Sequence, residues 1–261
     1  MNLNLNGKVA LVVASSQGLG KAIAAQLARE GARVMITSRS LVKLQKVQAE
    51  LLQEPHCEVK YHVADVTKLE DIKTLVEKTR EVFGDIDILI NNAGGPPGGN
   101  FDQLTDEDWE NAFQLNLFSY VRIIREVLPD LKKNGGKIIN IASSSIKQPI
   151  PGLILSNTFR LGLVGMTKTL AEELGPYNIL INTVAPGRIA TERVDYLDQL
   201  NADNRNVSKN VIVGEAIKAI PLGRYGTPEE FANMVTFLAS DANTYITGSS
   251  ILIDGGMVKA L

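Results

Sequence analysis

The sequence predicts an α/β fold: a doubly wound parallel sheet of about seven strands, flanked by helices, in one domain spanning 1–261. Three observations predict it. Short apolar, often β-branched runs alternate with amphipathic helical patterns along the chain. Those runs end in small or polar residues, as strands do where a parallel sheet opens onto a ligand crevice. No internal repeat or low-complexity tract breaks the alternation.

The first unit, residues 8–39, sets the pattern. Lys8-Val9-Ala10-Leu11-Val12-Val13 reads as a strand, and Ala14-Ser15-Ser16-Gln17-Gly18-Leu19-Gly20 interrupts it with small residues before a helix whose apolar face holds Ile23, Leu27 and Ala28. Gly31 stops that helix, and Arg33-Val34-Met35-Ile36-Thr37 forms the next strand. Such a βαβ unit aims unpaired N–H groups and a partial positive charge at the turn, which suits a phosphate. G-x-G-x-x-G is absent, since Ile23 stands where its last glycine would be, and a tight strand-to-helix connection remains the alternative reading of Gly18 and Gly20.

Leu44, Val47 and Leu51 then recur at helical spacing, and residues 58–63 alternate as a strand ending at Asp65. Ile72, Leu75, Val76 and Phe83 mark a third helix, after which Ile86-Asp87-Ile88-Leu89-Ile90 runs into Asn91-Asn92-Ala93-Gly94. Gly94-Gly95-Pro96-Pro97-Gly98-Gly99-Asn100 reads as a flexible loop. One helix bearing Trp109, Phe113, Val121, Ile124 and Leu128 is expected beyond it, then a strand over 136–141, a helix over 161–174 and a strand over 179–184. After Pro186-Gly187 the polar, poorly periodic stretch from Arg188 to about Lys209 reads as a mobile lid, part of a substrate segment over 188–218. Thr227-Pro228-Glu229-Glu230 opens the last helix with a capping box, and residues 250–253 close the sheet.

Composition narrows the function. In 261 residues, 27 basic and 29 acidic side chains leave a net charge of −2, which implies no general attraction to nucleic acid or to an anionic membrane. Cys57 is the one cysteine, so no internal disulfide forms. No long apolar span or signal-peptide pattern is present, and a cytoplasmic protein is expected. His56 and His62 lack the clustered partners of a metal site, so none is expected, and neither lies near the inferred site as a serine hydrolase would need.

The strand-end residues together resemble the short-chain dehydrogenase/reductase family over essentially the whole chain. Its T-G-x-x-x-G-x-G turn is similar to Val13-Ala14-Ser15-Ser16-Gln17-Gly18-Leu19-Gly20, with Ala14 in place of the first glycine. Its N-N-A-G, P-G and D-G-G are similar to Asn91 to Gly94, Pro186-Gly187 and Asp254-Gly255-Gly256. The resemblance is to enzymes like the 3-oxoacyl-carrier-protein reductases, and implies a Rossmann-like dinucleotide domain that moves hydride to or from a small carbonyl or alcohol. It further implies a pyrophosphate on Ser15, Ser16, Gln17, Gly18 and Leu19, adenine beside Asp65 and Val66, ribose beside Asn92, Ala93 and Gly94, and nicotinamide beside Pro186, Gly187 and Ile189. Dimers or tetramers are the family habit, and the largely apolar 257–261 fits burial against a neighbour. At the end of the second strand, Ser38 and Arg39 replace the carboxylate that would hold an NAD ribose, so NADP(H) is expected and NAD(H) is the alternative.

The family's proton chemistry uses an asparagine, a serine, and a Y-x-x-x-K thirteen residues beyond the serine. Asn116 and Ser143 match, but thirteen residues beyond Ser143 stand Ser156 and Arg160, which makes the pair S-x-x-x-R. A phenol of pKa about 10 is thereby replaced by a far weaker acid, and an arginine of pKa above about 12 is a poor proton relay. Arg160 could still hold the nicotinamide ribose or stabilise an oxyanion. Lys147 is another candidate acid, with a solvated loop position as the alternative. Ser143 and Ser145 could bond a carbonyl or brace their turn. Ser156-Asn157 could cap the helix bearing Arg160. Two functions stay open: an oxidoreductase using Asn116, Ser143, Ser156 and Arg160, or a nucleotide-binding sensor or assembly partner that has lost the chemistry.

Overall fold

The computed structural model describes residues 2–260. β1 (Val9–Val12), α1 (Gly18–Arg29), β2 (Arg33–Ser38), α2 (Leu41–Leu51), β3 (Glu58–Val63), α3 (Leu69–Phe83) and β4 (Ile88–Asn91) form the first half. The second half runs through α4 (Asp106–Phe113), α5 (Ser119–Asn134), β5 (Gly136–Ile141), α6 (Ile154–Leu174), β6 (Ile179–Pro186), α7 (Glu192–Arg205), α8 (Lys209–Ala219), α9 (Pro228–Ala239) and β7 (Ser250–Ile253). The sheet is seven-stranded and parallel in the order β3-β2-β1-β4-β5-β6-β7, so the doubly wound architecture expected from the alternation is the one observed.

The central strands read as continuous apolar runs because both faces are covered. In β1, Ala10 and Val12 join a cluster with Ile23, Leu27, Phe231 and Val235 on one face. Val9 and Leu11 join Ile72, Leu75, Val127 and Leu131 on the other. Helices thus sandwich the sheet, and the strand order reverses between β1 and β4, where a crevice opens at the carboxyl ends. Asn92 spans it, its Nδ2 donating to Ala14 O at 3.2 Å.

Three elements differ from the sequence expectation, each around a buried polar side chain. The single helix through Trp109 and Leu128 is two helices joined by a π turn, Gln114–Phe118, which carries the fully buried Asn116. α6 begins at Ile154 rather than near Leu161, because its first turns bury Ser156 and Arg160, which break the apolar period. The stretch from Arg188 to about Lys209, read as an aperiodic lid, is largely α7, and α8 follows it. The apolar signal of α7 is faint because its buried positions are Asp198 and Ala202.

Candidate functional site

The β1–α1 turn is built for an anion. Gly18 takes a left-handed φ of 55°, and a Cβ on Gly20 would fall 2.4 Å from Ala14 O, so the turn folds this tightly only with glycine there. Gln17 precedes α1 without a side-chain cap, leaving the first N–H groups of the helix unclaimed by a cap. Ser15 does not face this opening. It is buried, its hydroxyl donates to Val12 O at 2.7 Å and accepts from Thr37 N–H at 3.0 Å, and it ties β1 to β2 beneath the turn. Ser16 and Leu19 are half-buried in the turn and Gln17 is exposed.

At the end of β2, Ser38 is half-buried and Arg39 is exposed. Lys43, in the first turn of α2, reaches Gln17 Oε1 and adds a second cation that the sequence reading did not single out. Asp65 follows β3; burial alone would raise its pKa, but the Thr67 hydroxyl and N–H, with the Arg39 charge, hold it below the usual carboxylate value. Val66 is buried next to it. Across the sheet Pro186 ends β6, and Gly187 lies so near Asp254 that a Cβ there would meet it at 2.5 Å. Ile189 is buried and bridges to Gly226.

A cavity of about 700 Å³ opens beside these strand ends, lined among others by Gly98, Asn100, Ser143, Ser144, Gly187 and Met257. Arg188 also faces it, but its charge is matched by Asp198, whose other oxygen accepts from Tyr225 Oη at 2.8 Å. Ser143 Oγ accepts from Ser145 N–H at 3.2 Å, and Ser145 Oγ is buried without a partner among the described residues.

Asn116 and Arg160 converge on the segment after β4. Asn116 Nδ2 donates to Gly94 O at 2.8 Å, and its Oδ1 is buried with no partner among the described residues. Arg160, 5% exposed, donates from Nη2 to Ala93 O at 3.2 Å and from Nη1 to Ile141 O at 2.7 Å. Its Nη1 also meets the Tyr120 hydroxyl at 3.4 Å. That phenol donates to Ile141 O at 2.9 Å, and burial raises its pKa against the pull of the Arg160 charge. Arg160 therefore stitches the ends of β4 and β5 together from below. Ser156 is buried in the first turns of α6 and does not cap it, because Leu153 occupies the cap position. Asn157 instead clasps Ile150 through both its N–H and its carbonyl. Lys147 is exposed, which leaves the solvated reading.

Two residues at the head of α7 escaped the sequence reading. Thr191 caps the helix and lies 3.7 Å from where a Cβ on Gly18 would sit, so α7 starts opposite the β1–α1 turn. Arg193 donates from Nη2 to Pro96 O at 2.6 Å across the same crevice. The signal for both was the T-x-R at the head of a stretch too polar to read as a helix.

The Enoyl-(Acyl carrier protein) reductase family model matches residues 13–258. A 3-oxoacyl-(acyl-carrier-protein) reductase of Thermotoga maritima is 36% identical over 98% of this chain and all of the relative. An oxidoreductase of Bacillus subtilis, YvrD, is 34% identical over the full length of both. Among solved structures, L-sorbose reductase from Gluconobacter frateurii, complexed with NADPH and L-sorbose, superposes with a TM-score of 0.94 at 33% identity over all of both chains. An actinorhodin polyketide ketoreductase with NADPH gives 0.92 at 32%, over 96% of this chain and 97% of that one. With its seven-stranded order, its glycine turn at the strand reversal and these matches along nearly its whole length, the chain belongs to the short-chain dehydrogenase/reductase family of oxidoreductases.

Proposed function

We propose that the protein is an NADP(H)-dependent oxidoreductase acting on a carbonyl or alcohol through a modified site of Asn116, Ser143, Ser156 and Arg160. The observation that carries the cofactor is the uncapped start of α1 beside Gly18, with Arg39 exposed at the end of β2 where no carboxylate stands to repel a 2′-phosphate. The two structural neighbours solved with NADPH support the same preference. When bound, the nicotinamide supplies a hydride. Ser16 to Leu19 would hold the pyrophosphate, Arg39 with Ser38 and Lys43 the 2′-phosphate, Asp65 and Val66 the adenine, and Asn92 to Gly94, Pro186, Gly187 and Ile189 the ribose and nicotinamide side.

Ser143 is the one member of the modified set that lines the cavity, and it is the hydroxyl placed to accept or donate a hydrogen bond to a substrate oxygen. Arg160 and Asn116 hold the peptides of Ala93 and Gly94 in place, which positions the ribose side. The orphaned Asn116 Oδ1 offers an acceptor for a proton-carrying water. An incoming proton reaches the substrate oxygen from solvent past Ser143, the hydroxyl of the set that lines the cavity. Segment 188–218 supplies Arg188, Val194, Leu197 and Leu200 to the cavity and acts as its cover.

A second reading, a nucleotide-binding sensor or assembly partner without turnover, is favoured by one observation: the donors of Arg160 are directed to protein acceptors rather than into the cavity. Stopped-flow absorbance of bound NADPH against aldehydes, ketones and quinones separates the two. Sustained oxidation lost in Ser143→Ala supports the enzyme, and tight binding without turnover supports the sensor. Ser156→Tyr with Arg160→Lys should raise the rate strongly if the present pair is a loss of function. Self-association through α4 to α6 is part of the proposal. Phe113 and Leu161 are exposed there, and native mass spectrometry gives the copy number.

A further inference from the structure

We infer that Arg193 is the ligand-facing cation of this site, closing from α7 over the pyrophosphate of the bound dinucleotide. The inference rests on the dinucleotide reading above and assigns a role to a residue outside the modified set. Two guanidiniums approach the segment after β4. Arg160 is buried, and its Nη atoms bond Ile141 O, Ala93 O and the Tyr120 hydroxyl. Its charge is spent inside the protein.

Arg193 is arranged differently. Of the five N–H donors a guanidinium carries, its hydrogen bond to Pro96 O engages one. Its Nη2 lies 2.9 Å, and its Nε 3.0 Å, from where a Cβ on Gly95 would sit, so the glycine is what lets the guanidinium lie along this loop. Neither arginine has an acidic partner among the described residues, whereas Arg188 at the cavity wall is neutralised by Asp198. Burial and the neighbouring Arg160 charge push the pKa of Arg193 down against the pull of Tyr196, which describes a cation short of counter-charge.

The position identifies the anion. Thr191, two residues earlier, lies within van der Waals reach of Gly18 in the β1–α1 turn, so the head of α7 sits directly beside the uncapped head of α1. Arg193 does not line the 700 Å³ cavity beside Ser143, where a substrate fits. A diphosphate lying along the turn passes under Arg193, and a planar fork suits its oxygens better than an ammonium would.

The test is NADPH titration of the full chain, followed by fluorescence, for wild type, Arg193→Met, Arg193→Lys and Gly95→Ala. Adenosine 2′-monophosphate, which keeps the adenosine end and lacks the diphosphate, is titrated by competition. Arg193→Met is expected to raise the NADPH Kd about tenfold or more, the loss for one charge-assisted bond to phosphate, and to flatten its dependence on salt. The affinity for adenosine 2′-monophosphate and the melting temperature without ligand should not move. Arg193→Lys should restore part of the affinity, and Gly95→Ala, which crowds the guanidinium without removing charge, should weaken NADPH alone. Unchanged NADPH affinity in Arg193→Met overturns the assignment. So does an equal loss for adenosine 2′-monophosphate, or an effect confined to the KM of a carbonyl substrate. Wild-type protein that takes up neither NADPH nor NADH overturns the dinucleotide reading itself, and is recognised before any variant is compared.

Discussion

Ala14 holds φ at 50°, a region in which its Cβ crowds the following carbonyl, at the position where the family turn has its first glycine. Removing that strain outweighs the entropy a glycine adds to the unfolded chain, so Ala14→Gly should raise stability by about 0.5–1 kcal/mol. Urea denaturation reads this directly, and a lower midpoint would contradict it. Arg160 acts in the opposite sense. Arg160→Met leaves Ala93 O without its buried donor and Ile141 O with Tyr120 alone, and should destabilise the fold by about 2–4 kcal/mol. A midpoint within about 0.5 kcal/mol of wild type would show that water replaces those bonds. Arg160 variants therefore confound stability with catalysis, and Ser143→Ala is the cleaner probe of turnover.

At the scale of the element, α7 is fastened by a buried ion pair. Asp198, 1% exposed, accepts from Arg188 and from the Tyr225 hydroxyl, fastening the helix to the segments on either side of it. Burial, then the Asp198 bond, pushes the Tyr225 phenol up to about 12. The folded state thus binds this proton more tightly than the unfolded chain, where the phenol titrates near about 10. The stabilisation is complete below about pH 10 and is lost as pH climbs toward about 12. Melting temperatures from pH 9 upward should fall more steeply for wild type than for Tyr225→Phe. Parallel curves would remove the phenol from the account. Asp198→Asn keeps the size but not the charge, leaves Arg188 unpaired at the cavity wall, and should loosen α7 enough to increase its proteolysis.

For the whole molecule, the crevice between β1 and β4 couples ligand to stability. NADPH at about a hundred times its Kd should stabilise the fold by about 2.7 kcal/mol, seen as a rise in melting temperature. NADH at equal concentration should give less. Arg39→Glu should reverse that order, because a carboxylate at the end of β2 repels a 2′-phosphate and accepts from a ribose diol. An unchanged order would place the selectivity elsewhere, with Lys43 the next side chain to test.

The frame is legible in the chain alone. The apolar runs of β1 and β4 have one comfortable environment, a sheet covered on both faces, and Gly18 and Gly20 permit one tight turn at its edge. Those are local preferences, legible in order along the chain. The rest is settled on folding at Asn116, Arg160 and Asp198, buried polar groups whose partners no hydrophobic spacing marks. Hydrophobic period cannot register a helix that buries a carboxylate or a guanidinium, so the π turn, the start of α6 and the helical form of α7 are not legible in it. The inward turn of Arg160 and the reach of Arg193 to Pro96 follow from which acceptors the folded chain leaves within bonding distance, and no spacing rule encodes that.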